Sequence, residues 1–327
     1  MRNRFIFAIT FSVITAGRVF GVNAPTLDAE LRRIAKSANG DVGIAAWHLD
    51  GKGARVLLNA DQPFPMASTF KVAVAGALLA KVDAGELTLN KMLPVDPNKY
   101  VESDVIATGL IHPGVSLSVE NLLELMLTHS DNTATDVLVA AAGGPEAITA
   151  WVHKLGISGL RVDRDTAGIL RDFFGISAGK FSEALAAARK ADPKLDERGE
   201  RPNPAFDNDP RDTSTPLAMA ELLTRIFSGR ALSPTSTQTI IATMERCHTG
   251  ENRIRGRLPA GTVVANKTGT LGGTLNDVGV VTLPENKGRV VIALYIKKSD
   301  LPFAAREKVI ADLARAIFDY FLFTDPK

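Results

Sequence analysis

The sequence predicts an α+β fold: one antiparallel five-stranded sheet flanked by terminal helices, with an all-helical region inserted between its two halves. Three observations predict it. Strand-like alternation is confined to two short segments before residue 60 and three after residue 261. Helical patterning fills the interval from Ser68 to about Gly229. Two strands alone cannot form a stable sheet, so the economical arrangement pairs the first two with the last three.

Taken in order, residues 1–24 read as a secretory signal. Arg2 and Arg4 precede an apolar run over residues 5–16, and Val22-Asn23-Ala24 is a small-residue exit. The run is short for a membrane span, so no stable span is expected once it is removed. Arg18 and Pro25 blur the cleavage point, and a retained N-terminal anchor is the alternative. The full chain carries +2, and residues 1–24 hold Arg2, Arg4 and Arg18 with no acidic residue, so their removal leaves −1. Such a near-neutral chain has no general attraction for nucleic acid. With Cys247 as its one cysteine the fold must stand on its core without an internal disulfide. A periplasmic or secreted location in a bacterial envelope fits, and a monomer is expected.

Residues 26–37 place Leu27, Leu31 and Ile34 on one helical face, and Asn39-Gly40 ends the helix. Residues 41–50 and 55–59 are strands around a turn at 51–53. A helix starts at Ser68 and runs through residues 72–80, which hold no charge and no strong polar group. Residues 94–114 are loop-rich; helices follow at 119–128, 133–142, 145–155, 216–227 and 233–244. Thr215 caps the fourth of these, with Pro216 at its first position. Residues 262–268, 275–283 and 289–297 are strands, and an amphipathic helix over 301–323 closes the chain. The expected division is 25–62 with 230–327 as the sheet part and 63–229 as the helical part, including an enlarged loop at 163–213.

Three motifs are candidates for chemistry. Ser68 and Lys71 lie one turn apart on one helical face. A serine at a helix N-terminus sits where backbone N–H groups favour an oxyanion, and desolvation pushes a lysine in an apolar helix towards its neutral, proton-accepting form. The bland alternative is a capping serine and a snorkelling lysine. Ser130-Asp131-Asn132 puts a hydroxyl and a carboxamide on a tight turn, or is an ordinary helix boundary. Lys267-Thr268-Gly269-Thr270 lies on a strand, with Lys267 and Gly269 on one face and both threonines on the other. Glycine there lets a ligand approach the backbone closely; the alternative is a strand end with a solvated lysine.

S-x-x-K, S-D-N and K-T-G in this order make the chain resemble the penicillin-recognising serine acyltransferases. The resemblance spans about residues 26–323 and includes Asp209-Pro210-Arg211-Asp212-Thr213 and Leu258-Pro259-Ala260-Gly261, which favour class A β-lactamases. It implies the two-subdomain β-lactamase/transpeptidase-like fold, Ser68 as nucleophile, Lys71 in proton transfer and Ser130 as proton relay to the leaving nitrogen. It further implies that Lys267 polarises Ser130, that the N–H groups of Ser68 and Thr270 form the oxyanion hole, and that Asn132 holds the substrate side-chain amide. Thr268, Gly269 and Thr270 would line the carboxylate end. The family's arginine on the following strand is Asn276 here, and Arg253 is the candidate substitute, unless it is a surface arginine. No cofactor and no metal is implied, and the five histidines show no ligand spacing.

One departure bears on function. Class A hydrolysis needs a glutamate to activate the deacylating water. Asp163-Arg164 opens the loop in the familiar way, and an Arg164–Asp212 ion pair could close its neck, but Thr166 stands at the glutamate's position. The segment is also enlarged, with a helix expected at 181–190. Counting back from Asn203, which falls at the family's water-binding asparagine, reaches Gly199, next to Glu200. Glu200 is therefore the candidate base, or else a solvated charge; Asp165 is a weaker one. The expected function is a serine β-lactamase acting through an acyl-enzyme on Ser68. The alternatives are a DD-peptidase-like or other serine hydrolase of peptidoglycan-like peptides, or a slowly deacylating penicillin-binding protein.

Overall fold

The computed structural model describes residues 24–324. The expected signal lies outside them apart from Ala24, which begins the first helix. The sheet strands are β1 (Asp41–His48), β2 (Val56–Leu58), β3 (Val264–Leu271), β4 (Thr274–Thr282) and β5 (Arg289–Lys297). Their order is β2-β1-β5-β4-β3, and every neighbouring pair is antiparallel. The N-terminal strand thus lies along the C-terminal one, with Asp41 opposite Lys297 and His48 opposite Val290.

The helices are α1 (Ala24–Lys36), α2 (Lys71–Asp83), α3 (Val119–Thr128), α4 (Asn132–Ala142), α5 (Pro145–Lys154), α6 (Thr166–Phe174), α7 (Phe181–Ala191), α8 (Leu195–Gly199), α9 (Pro216–Phe227), α10 (Pro234–Glu245) and α11 (Phe303–Phe323). Strand alternation sends Ile44, Ile292 and Leu294 to one face of the sheet, against Leu31 of α1 and Leu313 and Ile317 of α11. It sends Trp47, Val291 and Ala293 to the other, where they join the core built from α2, α3, α4 and α9. Both faces are covered, which is why β5 is buried from Val290 to Lys297. Helix α2 is buried from Lys71 to Leu79, so its apolar run needs no polar face. Among the described residues no helix is long and apolar enough to cross a membrane.

The enlarged loop is mostly helical. The expected inserted helix is α7, and α6, α8 and a turn of helix at Pro204–Asp207 accompany it. Phe181, Leu185 and Leu195 form a small core of their own against Val101 and Ile176. Arg189 joins this insertion to the rest by pairing with Glu102 at 3.0 Å, and ties α7 to Asp196 of α8 at 3.0 Å. At the neck Arg164 Nε donates to Asp212 Oδ2 at 2.6 Å, while its other nitrogens meet Asp172 at 2.5 Å and Asp209 at 3.2 Å. Asp212 Oδ1 also accepts from the backbone N–H groups of Asp163 and Arg164. Arg164 thus bridges three carboxylates, two of them largely buried, and shares Asp172 and Asp209 with Arg211.

Replacing Arg164 with Ala leaves the buried Asp212 without a cation, while Asp172 and Asp209 keep Arg211. The expected loss is about 3–5 kcal/mol of stability, read as a shift of the denaturation midpoint. A shift below a tenth of that would show that the neck does not depend on this cation.

Candidate active site

The turn Ala67–Phe70 leads directly into α2, and Ala67 enters it in the left-handed region at φ 44°. Ser68 is half-buried on this turn and makes no side-chain hydrogen bond among the described residues. One turn on, Lys71 is fully buried. Its Nζ donates to the Ser130 carbonyl at 2.7 Å, to Asn132 Oδ1 at 2.8 Å and to Ser130 Oγ at 3.2 Å. Burial, and then the charge of Lys267, push this ammonium well below its ordinary pKa.

Ser130 is reached by a second lysine. Lys267, also fully buried, donates to Ser130 Oγ at 2.9 Å and to the Thr268 carbonyl at 2.9 Å. Burial brings its pKa down to about 8. Ser130 itself has φ 59°, a conformation disfavoured for a residue with a Cβ, and lies between α3 and α4. The three motifs thus meet in one cleft, with one hydroxyl between two ammonium groups. Neither the snorkelling nor the solvated lysine of the bland readings is present.

The K-T-G glycine has a different reason from the one expected. A Cβ on Gly269 would sit 2.5 Å from the Met66 carbonyl and 3.1 Å from the Thr69 N–H. It is the chain's own Met66–Thr69 turn, rather than a ligand, that approaches the backbone here. Asn276, on the adjacent strand, completes this contact. Its Nδ2 donates to the carbonyls of Pro65 and Met66 at 2.9 and 3.0 Å, and its Oδ1 accepts from the Ile296 N–H. Sequence reasoning noted Asn276 only as a missing arginine. The polar pair Asn276-Asp277 inside a strand pattern was the available signal.

Arg253 is buried rather than at the surface. Its Nε pairs with Glu307 at 3.1 Å, its Nη1 donates to the Asn276 carbonyl at 2.9 Å, and its Nη2 donates to Thr270 Oγ1 at 2.7 Å. Thr270 thereby accepts one hydrogen bond, leaving its exposed hydroxyl proton free to donate into the cleft. Thr268 Oγ1 shares a hydrogen bond with Thr249 Oγ1 at 2.6 Å. Behind them Asp277, missed in the sequence, accepts from Asn266 Nδ2 and the Ile254 N–H, and burial pushes its carboxyl up to about 6.

Glu200, among the described residues, makes no side-chain hydrogen bond or ion pair with this cluster. It ends α8 with an exposed side chain, and its carbonyl accepts from Arg306 Nη2 at 3.3 Å. Arg306 also holds the Gly272 carbonyl, so residues 199–201 are moored to the β3–β4 turn. Gly272, at φ 58°, is where a Cβ would meet the Arg201 carbonyl at 2.8 Å. Asn203 is an N-cap: its Oδ1 accepts from the Ala205 N–H, and its Nδ2 donates to the Phe173 carbonyl. Asp165 caps α6 through the Gly168 N–H. Thr166 is buried, and its N–H donates to Asp136 Oδ1 at 2.7 Å. Sequence counting failed here because the enlarged loop re-enters its neck after three helices, so offsets from either end lose their spatial meaning. Among the described residues no cluster of His, Cys, Asp and Glu is of a size to hold a metal.

Two half-buried serines and two buried lysines between a helical region and an antiparallel sheet define the class: a serine hydrolase of the penicillin-recognising type. The profile of the β-lactamase enzyme family matches residues 26–321, and the chain belongs to that family. It is 28% identical to the β-lactamase CTX-M-97 of Escherichia coli, over 97% of this chain and 96% of that one. It is also 28% identical to the extended-spectrum β-lactamase PER-1 of Pseudomonas aeruginosa, over 91% and 88%. Among solved structures, an ancestral Gram-negative class A β-lactamase matches with a TM-score of 0.73 at 33% identity, covering 89% of this chain and 98% of that one. A β-lactamase from Chitinophaga pinensis matches with the same score at 28% identity, covering 90% and 98%.

Asn276→Ala removes the donor to the Pro65 carbonyl and one of the donors to the Met66 carbonyl, which keeps Thr69. It should cost about 1–3 kcal/mol and should slow reaction of Ser68 more than binding. Unchanged melting and unchanged acylation would remove Asn276 from the support of the turn.

Proposed function

We propose that the cleft hydrolyses β-lactams through an acyl-enzyme on Ser68, in a periplasmic or secreted monomer. The observation that supports this most is Ser130 Oγ held by Lys71 and Lys267 at 3.2 and 2.9 Å. Neutral Lys71 takes the Ser68 proton as Oγ attacks the lactam carbonyl. The oxyanion forms at the N–H groups of Ser68 and Thr270, positioned donors that favour charge as it develops. Lys71 passes its proton through Ser130 to the lactam nitrogen, and the C–N bond breaks. Lys267, still charged at neutral pH, draws the substrate carboxylate to the Thr268, Gly269 and Thr270 edge, where Thr270 donates and Arg253 stands behind it. Asn132 takes the side-chain amide of the substrate. No cofactor enters these steps.

The exposed position of Glu200 favours a second reading, a penicillin-binding protein that stays acylated. Intact mass after mixing with benzylpenicillin separates the two: a mass that rises and returns is hydrolysis, and one that rises and stays is a trap. Ser68→Ala should abolish the adduct; undiminished labelling would remove the nucleophile.

The pH dependence follows from the lysines. A lowered pKa means that Lys267 loses its proton as pH rises through about 8. The value of kcat/KM should therefore fall above about pH 8 as the carboxylate loses its counter-charge, and fall at acid pH as Lys71 is protonated. A flat profile between pH 7 and 10 would show that the charge on Lys267 is not used.

A further inference from the structure

We propose that Asp136 is the base that clears the acyl-enzyme, with Thr166 holding the attacking water between it and Ser68. This rests on the acyl-enzyme reading above. Asp136 follows Asn132 by one helical turn on α4, so both side chains share the face turned to Lys71. Asn132 Oδ1 accepts from Lys71 Nζ at 2.8 Å. On the next turn Asp136 Oδ1 and Oδ2 accept from the N–H groups of Thr166 and Ala167 at 2.7 and 2.9 Å. Each of those oxygens keeps a lone pair. Thr166 is buried, and its Oγ1 lies beside the Asp136 carboxylate without forming a hydrogen bond of good geometry. A buried hydroxyl without such a bond is costly unless it serves a bound group, and a water joining Thr166 Oγ1 to Asp136 satisfies it.

Of the neighbouring carboxylates, Asp131 has both oxygens engaged: Oδ1 accepts from the Ala134 N–H, and Oδ2 accepts from Ser103 Oγ and the Ile106 N–H. Asp165 accepts from the Gly168 N–H through Oδ1, and its charge acts on Asp136. Asp136 also lines a cavity of about 760 Å³ between α4 and the enlarged loop, bounded by Asp165, Arg171 and Phe181. Water can therefore reach it from the side away from the substrate. Burial and then the charge of Asp165 push its carboxyl up to about 7, where a carboxylate is a useful base. The charged groups around it are Lys71 on α2, Asp165 and Arg171 on α6, and Asp96 and Lys99 on the preceding loop.

In the step itself the water oxygen bonds to the ester carbonyl carbon while Asp136 takes a water proton. The tetrahedral intermediate then collapses, and the bond from that carbon to Ser68 Oγ breaks. The proton returns from Asp136 by way of Lys71 to Ser68 Oγ. The products are the ring-opened acid and the free serine.

The test follows intact mass of the full chain after mixing with benzylpenicillin. Asp136→Asn, which keeps the side-chain shape, should acylate within about three-fold of the parent and deacylate about 10²–10⁴-fold more slowly. Adding Thr166→Glu to that variant should restore part of the turnover, by placing a carboxylate on the same water. Unchanged deacylation in Asp136→Asn, or acylation and deacylation falling together, overturns the proposal, as does a parent adduct that never clears. Should the variant fail to fold, the parent itself decides: its deacylation rate should drop as pH falls through about 7, and a rate flat from pH 5.5 to 8.5 overturns the assignment. Ser68→Ala that still hydrolyses penicillin would instead overturn the acyl-enzyme reading.

Discussion

Two buried lysines on one serine hydroxyl are the constraint around which this molecule is built. Lys71 comes from a helix, Lys267 from an edge strand, and Ser130 from the turn between two other helices. Burying an ammonium is expensive unless its donors are met. Each lysine here is met by oxygen atoms at 2.7 to 3.2 Å, most of them from the S-D-N turn. The two charges repel: burial and the charge of Lys267 push Lys71 well below its ordinary range, while Cys247 and Asp277 work against burial at Lys267. A base and a counter-charge arise from the same residue type because their surroundings differ.

The rest of the fold holds the three contributors together. Gly269 lets β3 lie against the Met66–Thr69 turn, and Asn276 ties that turn to the sheet from the neighbouring strand. Arg253 works from behind the strand, its charge offset by Glu307 and its reach to the cleft ending at Thr270. These are buried polar contacts with nearly complete partners, which is the condition under which such groups rigidify a site rather than weaken it.

The enlarged loop changes the surroundings without disturbing this centre. It carries its own small core, and it is held at the neck by Arg164 and at its far side by Arg189. At its start, Asp136 takes the N–H groups of Thr166 and Ala167. A glutamate at position 166 would face that carboxylate as a like charge. A threonine avoids the repulsion, so the residues at 136 and 166 make sense as a pair.

The sequence by itself determined the sheet, its terminal helices and the identity of Ser68, Lys71, Ser130 and Lys267. Periodicity is local, and the three motifs mark a turn, a helix boundary and a strand whose residue types are legible one at a time. The arrangement around them was not legible. Arg253 and Asn276 changed meaning because their partners, Glu307 and the Pro65 and Met66 carbonyls, are remote in the chain. Glu200 stood within a residue of the counted position yet lies exposed beside Arg306, since counting assumes a loop of fixed path. Asp136 could be weighed only once folding had set it against the Thr166 N–H. Where a carboxylate's burial and neighbours come from other elements, its chemistry is a property of the tertiary structure.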